Sequence, residues 1–196
     1  MSDQSLASTC VPGSGPATFR DMRINVASAS HDRCFPPIAR RDATTLILGS
    51  LPGRKSLEMQ QYYAHPHNAF WKLIGTIFDA DGPLPYARRV QILTGNRIAL
   101  WDVLAAAERP GSLDSSIVHR SALVNDFAGF FRAHPRIRRV FFNGRKAEEM
   151  YRRFVQLGPE FAGIQYECLP STSPAHAGMT FAKKLGRWRV IKESRK

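Results

Sequence analysis

Four short apolar runs recur along the chain, and each is followed by a stretch with helical spacing. The runs are Thr44-Thr45-Leu46-Ile47-Leu48, Ile98-Ala99-Leu100-Trp101, Val140-Phe141-Phe142 and Ile164-Gln165-Tyr166-Glu167-Cys168-Leu169. Runs of this kind suit strands buried on both faces of a parallel sheet. Between them, residues 69–78 place Phe70, Leu73, Ile74 and Ile77 on one helical face, and residues 120–131 do the same with Leu123, Phe127 and Phe130. Residues 144–157 and 179–191 complete the set, the last with Phe181, Leu185 and Trp188 inward. Strands alternating with helices imply an α/β layered domain with a mostly parallel, four-stranded sheet. Ligands of such sheets bind beyond the carboxyl ends of the strands. The candidate loops are therefore residues 49–53, 102–113, 143–144 and 170–178.

The 196 residues are enough for one core without staples. Residues 1–42 are rich in Ser, Ala, Pro and Gly and lack an apolar period, so they read as a flexible tail ahead of a domain at 43–196. No window holds 18 consecutive apolar residues, which excludes a membrane-spanning helix. The absence of a basic-then-apolar leader places the expected location in the cytoplasm, with the nucleoid. Cys10, Cys34 and Cys168 form neither a disulfide framework nor a CxxC site. Charge is more informative. Lys plus Arg number 28 against 16 Asp plus Glu, a net +12, and 21 of the cations are Arg. Such an excess points to a polyanionic partner, although a basic surface without a ligand has the same composition.

The first candidate loop reads Gly49-Ser50-Leu51-Pro52-Gly53, and the last Leu169-Pro170-Ser171-Thr172-Ser173-Pro174-Ala175. Pro and Gly pin turns there and leave backbone N–H groups and hydroxyls outward, which suits phosphate contact. Taken singly, each is equally a tight strand-to-helix connection. Taken with His65-Pro66-His67-Asn68-Ala69-Phe70-Trp71, they resemble the uracil-DNA glycosylase superfamily, over a span from about residue 44 to 191. The nearest likeness is to the hypoxanthine-DNA glycosylases (DNA-deoxyinosine glycosylases). It is carried by Ser56-Leu57 after the first loop, by Trp101-Asp102-Val103-Leu104, and by the Asn143-Gly144 turn.

That resemblance implies a three-layer α/β/α domain and a monofunctional DNA glycosylase of base-excision repair, with hypoxanthine as its base. It implies no cofactor, and a partner that is double- or single-stranded DNA holding a deaminated base, engaged by a monomer. Uracil or mismatch-specific cleavage, and a non-catalytic binding module, are the alternatives. Uracil-cleaving relatives place Asp or Asn in the first loop to activate water, where this chain has Leu51. The resemblance instead makes Asn68 the catalytic residue. An amide can orient water through its carbonyl oxygen but has no pKa useful for a general base. Asn68 is equally a helix cap ahead of Ala69.

A flipped base needs a stacking face and groups that read its edge. Phe70 is the candidate platform, with core packing as its other reading. Tyr62 and Tyr63 are candidate walls, and Trp71 reads as core. Asp102 and Asn143, just past two strands, suit the ring N–H and carbonyl of hypoxanthine; a cap and a turn are their plain readings. Ser50 and Leu51 join them as base-binding candidates. Gly49, Pro52 and Gly53 with Pro170, Ser171, Thr172, Ser173 and Pro174 are the candidate DNA-binding loops. His65 and His67 form an HxH pair without an evident third ligand, so no metal is expected. Lys55 is the one lysine near the first loop, and a direct water mechanism is preferred to an amine nucleophile. The residue at His176 stands where the resembling family differs.

Overall fold

The computed structural model describes residues 31–110, 113 and 116–193. Its strands are β1 (His31–Arg33), β2 (Thr45–Gly49), β3 (Ile98–Asp102), β4 (Leu104–Glu108), β5 (Leu123–Val124), β6 (Arg139–Asn143) and β7 (Gln165–Leu169). The helices are α1 (Arg54–Met59), α2 (Phe70–Ile77), α3 (Tyr86–Gly95), α4 (Phe127–Ala133), α5 (Arg145–Phe154), α6 (Phe181–Trp188) and α7 (Val190–Glu193).

The central sheet is four-stranded and parallel in the order β3-β2-β6-β7. Its four strands are those expected from the apolar runs. Every residue of β2 and β3 is buried, as double coverage by helices requires. Register decides which helix covers which face. Leu48 pairs with both Trp101 and Phe142, so the three share a face. There Trp101 meets Phe127 of α4 at 5.3 Å between ring centroids, and Phe142 meets Tyr151 of α5 at 5.2 Å. The remaining large helices pack on one another, with Phe70 of α2 edge-on to Trp188 of α6 and Trp71 edge-on to Tyr86 of α3. The domain is the expected three-layer α/β/α arrangement.

Beside it lies a three-stranded antiparallel sheet, β1-β4-β5, that the apolar pattern did not announce. β4 follows β3 after Val103 alone, so the chain passes directly from one sheet to the other. β1 corrects the expected domain boundary for residues 31–42. His31–Arg33 pairs with β4, Ile38 bridges Leu100, and the carbonyl of Phe35 accepts from Trp101 Nε1 and Tyr62 Oη. Residues 1–30 of the expected tail lie outside the described residues.

Two expected helices are also revised. Within residues 120–131, the first half is a 3-10 turn at His119–Ser121 followed by β5, and α4 starts only at Phe127. The Asp126 carboxylate accepts from Gly129 N–H and sets that start. The helix over 179–191 is two pieces, α6 and α7, with Thr180 capping the first through Lys183 N–H. Among the described residues, no helix is long and apolar enough to cross a membrane.

Candidate active site

The loops after β2, β6 and β7 open at the carboxyl end of the parallel sheet, together with Asp102 at the end of β3; the loop expected over 102–113 is corrected, since most of it is β4, held by its pairing with β1 and β5. Gly49 ends β2 hard against the site: a Cβ there would lie 2.2 Å from Asp102 Oδ1 and 2.9 Å from Tyr63 Oη, so a larger residue would have to displace those side-chain ends. The first loop therefore sits directly against the Asp102 carboxylate, which is 3% exposed. Ser50 and Leu51 are buried and line the same cleft. The loop is braced by Arg109, a residue that no local pattern marked. Its Nε and Nη2 donate to Asp32 Oδ2 at 3.0 and 2.6 Å, and Nη2 also donates to the Pro52 carbonyl. The guanidinium of Arg109 is fully buried, which such pairing makes tolerable.

The last loop is anchored from three sides. Thr172, 1% exposed, donates its N–H to Asn143 Oδ1 at 2.9 Å. Its Oγ1 accepts from Asn143 Nδ2 at 2.8 Å, and its carbonyl accepts from Ala69 N–H at 3.0 Å. From α6, Trp188 Nε1 donates to the Pro170 carbonyl and Lys184 Nζ to the His176 carbonyl. Burial holds the Lys184 ammonium below the ordinary lysine range. Gly144 adopts φ 96°, and a Cβ there would approach Ser171 Cβ to 2.7 Å. Asn143 thus holds the last loop in place; both ends of its amide already bind Thr172. The Ser171 and Ser173 oxygens accept from Ser173 and Ala175 N–H groups and shape the turn itself. Pro174, Ala175 and His176 form its exposed tip.

Asn68 lies at the start of α2, with its Oδ1 accepting from Phe70 N–H at 3.0 Å. The capping arrangement is therefore made, and Asn68 also lines the cleft. Phe70 does not. Its ring is 0% exposed and lies beneath Tyr63, stacked at 4.1 Å between centroids with 28° between planes. The expected platform is thus covered in this conformation, and the aromatic residues that line the cleft are Tyr62 and Tyr63. The reason is local geometry: Phe70 opens α2 on its inner face, while Tyr63 takes a left-handed φ of 54° and lays its ring over it. Tyr62 is buried in support, and burial and the charge of Asp102 push its hydroxyl far above the usual tyrosine range. Trp71 is core as expected, donating Nε1 to the Tyr62 carbonyl.

Together these residues enclose a cleft of about 860 Å³, in the range of small-molecule sites. Its charged lining residues are Arg54, Lys55, Glu58 and Asp102, so with neutral histidines it is formally neutral. Lys55 pairs with Glu58 at 3.1 Å, a surface arrangement rather than that of a pocket nucleophile. Gly53 and Pro174 line the rim, as does Leu113, which is 57% exposed. His65 and His67 face each other edge-on at 5.5 Å, and no group of three or more potential metal ligands occurs among the described residues.

The family model described as the uracil DNA glycosylase superfamily matches residues 36–192. The chain belongs to that superfamily. It is 41% identical over 161 residues to the hypoxanthine DNA glycosylase of Methanosarcina acetivorans, covering 81% of this chain and 96% of that protein. It is 40% identical over 116 residues to the hypoxanthine DNA glycosylase of Methanosarcina barkeri, covering 59% and 72% of the two chains. A solution NMR structure of a candidate uracil DNA glycosylase from Methanosarcina acetivorans superposes with a TM-score of 0.70 at 35% identity. It covers 85% of this chain and all of that one. The superfamily match starts at residue 36, so Asp32, which pairs with the Arg109 brace, lies ahead of it.

Proposed function

We propose that this superfamily member hydrolyses the N-glycosidic bond of hypoxanthine flipped out of DNA, using a water molecule and no covalent enzyme intermediate. The observation that carries the reading is the meeting of Asn68, Asp102 and Tyr63 in one neutral cleft bounded by the two signature loops. The 41% identity to a hypoxanthine DNA glycosylase supports the choice of base.

The chemistry follows from what each group can do. Tyr63, backed by Phe70, offers a flat face for the extruded base. The Asp102 carboxylate is an acceptor and suits the ring N–H of hypoxanthine, which adenine lacks at that position. Bond cleavage builds positive charge on the sugar, by analogy with other glycoside hydrolyses, and an oriented water captures the cation. Asn68 Oδ1 accepts one bond from Phe70 N–H, and its second lone pair can accept from that water. The cap then becomes a positioning device: the helix fixes the amide, and the amide fixes the water. Leu51 can do neither task, which is why the role moves to Asn68.

The test is a panel of duplexes holding one deoxyinosine, deoxyuridine or deoxyxanthosine, followed by alkaline strand cleavage. Strand breaks confined to deoxyinosine are expected. Preferential cleavage at deoxyuridine would replace the proposal with the uracil-directed reading, and tight binding without any cleavage would replace it with a binding module. Leu51→Asn restores the residue type of uracil-cleaving relatives and is expected to add cleavage at deoxyuridine.

A further inference from the structure

The positive charge of this chain is not concentrated in the cleft. A cluster of exposed arginines stands instead at the opposite pole of the parallel sheet. Strands β2, β3 and β6 enter the sheet from that pole, and backbone bonds bring their approaches together. Thr44 N–H donates to the Arg97 carbonyl, Arg138 N–H donates to the Thr44 carbonyl, and Ala43 N–H donates to the Arg40 carbonyl. Arg40, Arg41, Arg97, Arg136 and Arg138 are all exposed around this junction. One acid, Asp42, lies among them and pairs with Arg40 at 3.2 Å. Arg138 donates through Nη1 to the Pro135 and Ile137 carbonyls, which holds its side chain along the surface. Neighbouring Arg132 and Arg139 differ, since each faces a glutamate, Glu160 and Glu167 respectively.

The separation is set by the sheet. Five-residue strands span about 16 Å at about 3.3 Å per residue, and the loops lie beyond each end. A straight duplex seated across the cleft therefore leaves the arginine pole uncovered. Exposed guanidinium groups with one acid among them make a local field that attracts phosphate, and the planar fork matches its oxygens two at a time.

We propose that this pole is a second nucleic-acid contact, which takes the phosphodiester backbone of a further DNA segment while the cleft holds the substrate. It relies on the glycosylase reading only for the identity of the polyanion. A protein with two such faces can pass from one segment to another without full release, which shortens a search along DNA.

The experiment tethers a short duplex holding deoxyinosine, about 15 base pairs or one and a half helical turns. It saturates this duplex with the full chain and measures capture of a second, labelled, lesion-free duplex. The comparison is the variant R41Q/R97Q/R136Q/R138Q, whose changes are all exposed. The parent is expected to capture the second duplex, and the variant to lose at least about tenfold of that capture. The log–log salt slope of capture should flatten by up to about 3.6, at roughly 0.9 per lost phosphate contact. Single-turnover excision from the short duplex should stay within about twofold, as expected of surface changes away from the site. Equal capture by variant and parent, or no capture by the parent, overturns the proposal. So does capture of RNA or polyglutamate in place of duplex DNA. A parent that captures the second duplex but does not release hypoxanthine would leave this proposal standing and sink the substrate assignment instead.

Discussion

The two ends of the parallel sheet are built from the same strands and carry opposite chemistry. At the carboxyl end, side chains are buried and spoken for: Asp102 lies against Gly49, Asn143 is held by Thr172, and Arg109 is enclosed between Asp32 and Pro52. The lining there is formally neutral. At the amino end, arginines stand in solvent around Thr44. The difference separates two tasks that net charge alone merges. Attraction for phosphate works through water and is screened by salt within about 10 Å at 0.1 M. Holding a base and a water in register needs a desolvated, rigid pocket, where unpaired charge is costly.

Substitutions at the cleft end should produce the large effects. Phe70→Ala removes a fully buried ring under Tyr63 and should destabilise the fold by about 3–5 kcal/mol, read as a lower Tm. If Tm is unchanged while base capture collapses, Phe70 is a base contact after all. Asn68→Ala should slow single-turnover release of hypoxanthine by at least about 100-fold, about 2.7 kcal/mol of barrier. Its cost in stability should be near 1 kcal/mol, the value of a lost cap, with DNA affinity retained. Parental excision by a folded Asn68→Ala protein would reduce Asn68 to a cap.

Tyr63→Ala should weaken capture of the flipped base by about 1–3 kcal/mol, seen with a fluorescent base analogue, with a smaller loss of Tm than Phe70→Ala. The comparison of these two aromatic residues decides which is face and which is support. Thr172→Val keeps the backbone ties of the last loop but strands Asn143 Nδ2. It should cost about 1 kcal/mol of stability, a fall of about 2–4 °C in Tm for a chain of this size. At the other pole, Arg136→Gln should leave excision from a short duplex untouched. It should flatten the salt slope of second-segment capture by about 0.9. A clear loss of excision on the short duplex would mean that the two ends are not independent.

The central sheet was legible because strands covered on both faces need runs of apolar residues, which stand out in any window. The antiparallel sheet was not legible. Leu104-Ala105-Ala106-Ala107-Glu108 has neither alternation nor β-branched residues, and it is a strand because β1 and β5 pair with it. Residues 120–131 matched a helical period, but the period could not register the capping carboxylate of Asp126. The loops of the cleft were legible too, since Pro and Gly punctuate them at strand ends where an α/β domain binds its ligands. Their occupants were less so. Tyr63 was named as a wall, but that it covers the Phe70 platform rests on one left-handed residue, and no local spacing reports it.

What the amino-acid sequence determined by itself was therefore the layered fold, the end of the sheet that bears the site, and the motifs that ally this chain with its superfamily. These depend on local periodicity and on residues a few positions apart. The tertiary structure alone decided which groups face the cleft and which support it. It also decided that Arg109, just past β4, reaches Asp32 and Pro52, and where the arginines gather. Those outcomes depend on side chains far apart in sequence meeting across a packed interior, where burial and pairing, not residue type, set what each group can do.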